Sequence, residues 1–379
     1  MAAMEKNNKT LNVPHLRFPE FSGEWEKTSI GDCCSDLEYG MNAASKNFDG
    51  VNKYIRITDI DELTAEYKQD SLVSPDALLE DKYLVKDGDI LFARTGASTG
   101  KTYIYAPQDG KLYYAGFLIR ANVNFGTNPK FVFYQTQTHR YKKWVSIMSM
   151  RSGQPGINSQ EYASYQFWKP TKEEQDKISD LITLLDQRIK TQKKIIEKYE
   201  SLIKGLCQKL TQQGDPNIAL NECLECYSST LQESSVLEIG NFPVYGATGV
   251  CGYTDTPEVD GDSILIIKDG ASVGVTYYAL GKYSAIGTLN RLVAKNGCLL
   301  RYMYYCLKVL NFAPYRTGLA IPHIYFRDYG KEQIWCPPIE VQRRIVNTLE
   351  KIEQNIAIEK SLLKELYTQK RFLLQAMFI

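Results

Sequence analysis

Several stretches of this 379-residue chain carry residue types that do chemistry, and each lacks a part. Gly96-Ala97-Ser98-Thr99-Gly100-Lys101-Thr102 resembles a phosphate-binding loop. That loop needs four residues between its glycines, so that the backbone can curl round a phosphate before a helix starts. Here three residues separate Gly96 from Gly100, and Tyr103-Ile104-Tyr105 reads as a strand. A tight turn between strands accounts for the glycines. Cys223-x-x-Cys226 is half of a zinc knuckle, with no second Cys or His pair at ligand spacing. The nine cysteines, including the adjacent Cys33 and Cys34, read as ordinary reduced thiols. Asp76, Glu80, Asp81 and Lys82 are the residue types of a metal-dependent nuclease, but they are close neighbours, whereas such sites join different strands. Pro75-Asp76 reads instead as a helix start, with Asp76 near the positive end. Three histidines, His15, His139 and His323, do not support a histidine-centred hydrolase.

Cys336-Pro337-Pro338-Ile339 lacks both the leading polar residue and the closing ring with which amino-methyltransferases hold a flipped-out base. No glycine-rich cofactor fingerprint accompanies it. We therefore expect no catalytic residue, no metal site and no cofactor site in this chain.

The elements that these residues sit on are those of a soluble globular protein, with 44% hydrophobic and 23% charged residues. The length suggests two or three units. A net charge of +1 announces no general basic field, so any nucleic-acid binding must come from local placement of Lys and Arg. The 26 tyrosines suit recognition surfaces and β-sheets equally. The N-terminus lacks a continuous apolar core, and no apolar run approaches the ~18 residues of a membrane span. A cytoplasmic protein is expected.

The chain repeats itself. Phe167-Trp168-Lys169-Pro170-Thr171-Lys172-Glu173-Glu174-Gln175 is echoed, 167 residues on, by Ile334-Trp335-Cys336-Pro337-Pro338-Ile339-Glu340-Val341-Gln342. Gly88-Asp89 leading into Gly96-Ala97-Ser98-Thr99-Gly100 is echoed by Gly261-Asp262 leading into Gly270-Ala271-Ser272-Val273-Gly274. After each Trp-x-Pro runs a heptad seam. The first comprises Ile178, Ile182, Leu185, Ile189, Gln192, Ile196, Tyr199, Ile203, Leu206 and Leu210. The second comprises Ile345, Leu349, Ile352, Ile356, Glu359, Leu363, Leu366, Lys370, Leu373 and Met377. A 3.5-residue period held this long predicts a coiled coil. Pro170 and Pro337 suit the first turn of each helix, the carboxylates Glu173, Glu174 and Asp176 suit the positive end of the first, and Gly214-Asp215-Pro216 stops it. Each helix is the natural partner of the other, packed antiparallel. Gln192 and Glu359, the polar intruders near the midpoints, would then meet and fix the register.

The expected class is α+β, with two mixed globular domains separated by two long antiparallel coiled-coil helices in a pseudo-twofold internal repeat. The boundaries are 1–166 for the first globular domain, 167–213 for the first helix, 214–334 for the second domain and 335–379 for the second helix. Tyr54–Ile57, Asp89–Ala93 and Ser263–Ile267 read as strands, and Pro129–Ser146 and Leu299–Leu310 as helices.

In this doubled order the sequence resembles the specificity subunits of type I restriction–modification systems. The resemblance is carried by Pro14-His15-Leu16-Arg17-Phe18-Pro19-Glu20-Phe21 with Trp25-Glu26, by the two Gly-Ala-Ser-x-Gly loops, and by the two Trp-x-Pro motifs heading the seams. It implies two target-recognition domains, each reading half of a split double-stranded DNA site, and a helical spacer on which methyltransferase subunits, expected to be two, dock. It implies that partners supply catalysis: S-adenosylmethionine-dependent methyl transfer, and ATP- and Mg-dependent translocation and cleavage by restriction subunits. The first domain is longer and the second lacks a Trp-Glu opening, so the half-sites should differ. The competing expectation is a structural coiled-coil scaffold whose globular domains bind protein or carbohydrate.

Arg and Lys suit guanine or phosphate, and Asn and Gln suit adenine. The loops before the helices, Arg151-Ser152-Gly153-Gln154-Pro155-Gly156-Ile157-Asn158 and Arg316-Thr317-Gly318-Leu319-Ala320-Ile321-Pro322-His323, offer Arg151, Gln154, Asn158, Arg316 and His323. The glycine turns add Arg94, Lys101 and Lys268, and the polar loop before Lys46 adds Asn42 and Lys46 itself.

Overall fold

The computed structural model describes residues 12–151, 153–295, 297–318 and 320–379. The N-terminal segment through residue 11, and Ser152 and Leu319 of the two loops, lie outside them. The chain falls into two compact units, Met1–Thr191 with Leu363–Ile379, and Gln192–Leu362.

In the first unit the apolar run Asp89–Ala93 has no polar face because it is covered on both sides. Ile90 and Phe92 enter one core with Phe131 and Tyr162, while Leu91 and Ala93 enter another with Tyr103 and Leu118. The strand lies inside a four-stranded antiparallel sheet ordered Cys34–Tyr39, Leu118–Val123, Asp89–Ala93, Thr102–Ile104. In the second unit Ser263–Ile267 repeats the arrangement. Ile264 and Ile266 face a core with Tyr302 and Leu349, and Leu265 and Ile267 face one with Val244 and Tyr283. Its sheet runs Leu224–Ser228, Leu289–Ala294, Ser263–Ile267, Thr276–Ala279, the same order as in the first unit.

Three local expectations are corrected. Residues 129–146 do not form one helix: Pro129–Gln135 and His139–Met148 are separate. The Thr136 and Thr138 hydroxyls donate to the carbonyls of Phe133 (2.6 Å) and Gln135 (2.7 Å), and Thr138 Oγ1 accepts the Tyr141 N–H (3.2 Å), so a new cap interrupts the ladder. No helix starts at Asp76. Val73–Pro75 is a strand against Ser45–Asn47, and the Asp76 N–H continues that pairing by donating to Ala44 O at 2.8 Å. Only a single 3-10 turn, Asp81–Tyr83, follows. The strand read at 54–57 is Lys53–Ile55, because the Asp59 carboxylate accepts the Arg56 N–H (2.9 Å) and tightens Ile57–Asp59 into a 3-10 turn.

The long helices are Lys172–Thr211, 40 residues, and Ile339–Ala376, 38 residues. At 1.5 Å per residue each is roughly 60 Å long. Pro170 and Pro337 lie just before these helices rather than in their first turns. The helices run antiparallel. In the first unit Ile178 and Ile182 share a core with Leu373, Leu374 and Met377, and Asp186 pairs with Lys370 at 2.6 Å. In the second unit Cys207 packs with Ile345, Val346 and Leu349, and Glu200 pairs with Lys360 at 2.6 Å. There Gln192, 2% exposed, donates through Nε2 to the Glu359 backbone carbonyl at 3.2 Å and to its carboxylate. A buried amide held by a half-buried partner in this way disfavours slipped registers, because a slip would strand the amide among apolar side chains.

Candidate nucleic-acid interface

The strand Asp89–Ala93 delivers Arg94 and the Gly96–Gly100 turn to the end of the first sheet. Backbone bonds then stitch three loops together. Gly96 N donates to Pro155 O (2.9 Å), Ile157 N to Arg94 O (2.9 Å), and Arg94 N to Phe117 O (3.0 Å). The Arg94 guanidinium donates through Nε to Gly116 O at 3.0 Å and lies against the rings of Tyr39 and Phe117, 4.9 and 5.9 Å from their centroids. Burial pushes the Tyr39 phenol up, but hydrogen bonds from Ser159 and the charge of Arg94 outweigh it and leave the pKa below the ordinary tyrosine value. Phe117 is 57% exposed and Tyr39 43%, so the patch presents aromatic faces around a fixed cation.

The second unit uses the same stitches. Gly270 N donates to Pro322 O (2.9 Å), Ile324 N to Lys268 O (2.9 Å), and Lys268 N to Thr288 O (3.0 Å). The side chains carried on these stitches differ: Lys268 stands for Arg94, and Thr288 for Phe117. Arg316 donates to Val273 O at 3.1 Å, and the His323 ring has Nδ1 3.1 Å from Ile321 O and its edge against Tyr325. One backbone scaffold thus carries unlike surface residues in the two units.

The glycines end both turns for a steric reason. Gly100 has φ +90° and a Cβ there would lie 2.4 Å from Val145 Cγ1; Gly274 has φ +91° and its Cβ would lie 2.8 Å from Phe312. The first turn is not built for a phosphate. The N–H groups of Thr99, Gly100 and Lys101 donate to Gly96, Ala93 and Ser98 carbonyls at 3.0 Å. Lys101 faces Glu62 at 3.4 Å, and Asp61 and Glu62 line the depression beside the turn.

Of the sequence candidates, Arg94, Arg151, Gln154 and Asn158 share the first patch, with Gln154 lying over Gly96 and Asn42 beside the Gly116 turn. Arg151 is paired with Glu161 at 2.5 Å, and Asn158 caps the helix Ser159–Ala163 by accepting the Glu161 N–H at 2.9 Å. Lys101 faces away toward Glu62, and Lys46 pairs with Asp76 (3.7 Å) on the small two-stranded sheet. Lys268, Arg316 and His323 share the second patch.

Sequence reasoning missed a stronger signal. Residues 110–160 contain seven Lys and Arg and no Asp or Glu, and residues 270–327 likewise contain seven and none. The balanced total conceals two basic segments, one in each half. In the second unit much of this charge is committed: Arg301 to Glu350 (3.1 Å) and Glu353, and Lys308 to Glu353 (3.5 Å). In the first, Arg140, Lys142 and Lys143 are exposed on the helix His139–Met148 and have no carboxylate partner among the described residues. The bond from Gly156 N to Ser149 O (3.2 Å) ties that helix end to the 151–158 loop.

The repeated Trp-x-Pro motif holds each helix to its domain. Gln175 and Gln342 are 1% and 0% exposed and turn back over the helix start. Each donates to the proline carbonyl five residues earlier (Pro170, 2.9 Å; Pro337, 2.8 Å) and accepts a backbone N–H at the head of a domain helix (Asn128, 3.0 Å; Leu299, 2.8 Å). Glu174 is not a solvated end charge: it is 1% exposed and takes a two-pronged bond from Arg17, with Nε and Nη2 both at 2.8 Å. Each half is therefore a globular domain pinned to the start of a long helix, and the chain is an internal duplication of that unit.

The family described as type I restriction modification DNA specificity domain matches residues 22–201 and again 227–368, and the chain belongs to that family. The putative MjaX specificity subunit of Methanocaldococcus jannaschii is 24% identical over 400 residues, covering 93% of this chain and 92% of that one. The HindI specificity subunit of Haemophilus influenzae is 27% identical over 204 residues, 51% of this chain. The chain aligns with only 42% of the length of that relative, and with 31% of a further putative H. influenzae specificity subunit to which it is 29% identical. The crystal structure of a type I S subunit from M. genitalium shares the fold with TM-score 0.64 at 18% identity, covering 97% of this chain and 99% of that one. A structure described as the basis of complex assembly and conformational transition of the type I R-M system has TM-score 0.58, also at 18% identity, with 93% and 96% covered. No helix among the described residues is long and apolar enough to cross a membrane.

Proposed function

We propose that this chain is the non-catalytic DNA-reading subunit of a type I restriction–modification complex. Each unit reads one half of a split site in double-stranded DNA. The long helices set the spacing of the halves and dock methyltransferase subunits, with restriction subunits joining the complex. S-adenosylmethionine, ATP and Mg belong to those partners. The observation that carries the reading is the carboxylate-free basic segment in each half, adjoining loops that identical backbone bonds hold in place. Phosphate contacts come from such segments, and base reading from side chains on the stitched loops. Arg94 is the leading base-reading residue, because its ring contacts and its bond to Gly116 fix the guanidinium.

The test is fluorescence anisotropy of the full chain on short duplexes, with and without its methyltransferase partner. Four phosphate contacts would weaken binding about a hundredfold between about 50 mM and about 200 mM salt. Absence of binding under both conditions contradicts the reading and favours a coiled-coil scaffold for protein or carbohydrate.

A further inference from the structure

In the second unit three cysteines far apart in sequence meet: Cys223 at the end of the helix Leu220–Cys223, Cys298 just before the helix Leu300–Val309, and Cys336 ahead of the second long helix. Their sulfurs all lie within 4.8 Å of one another, and Cys298 Sγ is 3.8 Å from Cys336 Sγ. Cys226, the other half of the sequence motif, lies in the strand Leu224–Ser228 and is not part of the group. We infer that Cys223, Cys298 and Cys336 form a binding site for a soft, thiophilic cation of the zinc class.

The geometry suits such an ion. A tetrahedral centre with metal–sulfur bonds of about 2.3 Å holds its sulfurs about 3.8 Å apart. Thiolates select zinc-like and softer ions over Mg or Ca. Cys223 is fully buried and the other two are half-buried, so the three sulfurs lie just beneath the surface. The Gln342 amide Nε2, 3.3 Å from Cys336 Sγ, donates toward it, as outer partners of metal ligands do. On binding, each thiol loses its proton to solvent and forms a sulfur–metal bond, and no oxidant is needed.

The repeat supplies an internal comparison. The equivalent positions of the first unit are Cys33, Thr127 and Lys169. Asn124 N donates to Cys33 O at 2.8 Å just as Lys295 N donates to Cys223 O at 2.8 Å. There Lys169 Nζ lies 3.4 Å from Thr127 Oγ1. One copy thus places a cationic side chain where three elements meet, and the other places three thiols. A bound ion would staple the same junction, joining the head of the long helix to its reading domain.

The full chain, reduced and stripped with a chelator, would be given Zn2+, desalted and assayed for metal. Co2+ would then be titrated as a spectroscopic probe. Close to one ion per chain is expected, with tetrahedral ligand-field bands and a sulfur-to-cobalt charge-transfer intensity matching three thiolates. Cys298→Ser and Cys336→Ser should abolish that signal, and Cys251→Ser, at an exposed cysteine outside the group, should keep it. If the serine variants misfold by circular dichroism, the wild-type cobalt spectrum still decides through its thiolate count. No retained metal, fewer than three thiolates, binding that survives both substitutions, or a Cys298–Cys336 disulfide with no uptake after reduction overturns the proposal.

Discussion

Arg17→Met is expected to destabilise the first unit by about 3–5 kcal/mol, the usual result of removing one partner from a buried ion pair. Glu174 is 1% exposed, and its carboxylate oxygens take both prongs of Arg17. Without the guanidinium, the carboxylate loses both hydrogen-bond donors in a site that water scarcely reaches, or the N-terminal segment must open to hydrate it. Arg17 also ties that segment to itself through the Gly23 and Ser22 carbonyls, at 2.6 and 3.1 Å. Urea unfolding followed by tryptophan fluorescence checks the expectation. Three of the four tryptophans, Trp25, Trp144 and Trp168, lie in the first unit and Trp335 in the second, so the transition of the first unit should move alone. Arg17→Met combined with Glu174→Leu should recover most of the loss, since replacing both partners leaves no stranded charge. The second half contains the same experiment: Val341 stands where Glu174 stands in the repeat, and no counterpart of Arg17 accompanies it. A change below about 1 kcal/mol for Arg17→Met would show that Glu174 is satisfied by other means.

Joint replacement of Arg140, Lys142 and Lys143 by Gln is expected to weaken duplex binding about a hundredfold at about 0.15 M salt, and to reduce the salt slope by about 3. The loss should be uniform across sequences, because exposed lysines on a helix meet phosphates rather than base edges. Arg94→Ala should behave differently, relaxing the preference at one or two positions of a single half-site. Anisotropy titrations on a panel of duplexes at several salt concentrations separate the two behaviours. An unchanged slope in the triple variant would move the phosphate-binding surface away from the helix His139–Met148.

What could be read beforehand follows from how local the signals are. The strands Asp89–Ala93 and Ser263–Ile267 stand out because burial on both faces demands continuous apolar runs. The glycine turns stand out because only glycine tolerates their backbone. The break at Thr136–Thr138 was hidden because the apolar pattern continues across it, while two hydroxyls quietly take over carbonyls of the ladder. Asp76 misled because a carboxylate after proline suits a helix start and a strand end alike. The three thiols were invisible as a group, since only tertiary folding brings Cys223, Cys298 and Cys336 together. The basic segments were masked by averaging, because a net charge of +1 sums over carboxylates placed elsewhere in the chain. Tyr39 and Phe117 carried no sequence signal; their role follows from where Arg94 comes to rest.

The central claim is that each unit reads its own half of a split site. It is tested most directly by pairing the chain with its methyltransferase partner and mapping methylated adenines genome-wide. The mapping is then repeated after residues 94–158 are exchanged for the matching segment of a relative. A bipartite motif is expected, in which one half changes while the other half and the spacer length stay as they were. A single uninterrupted motif, or a change in both halves, would contradict it.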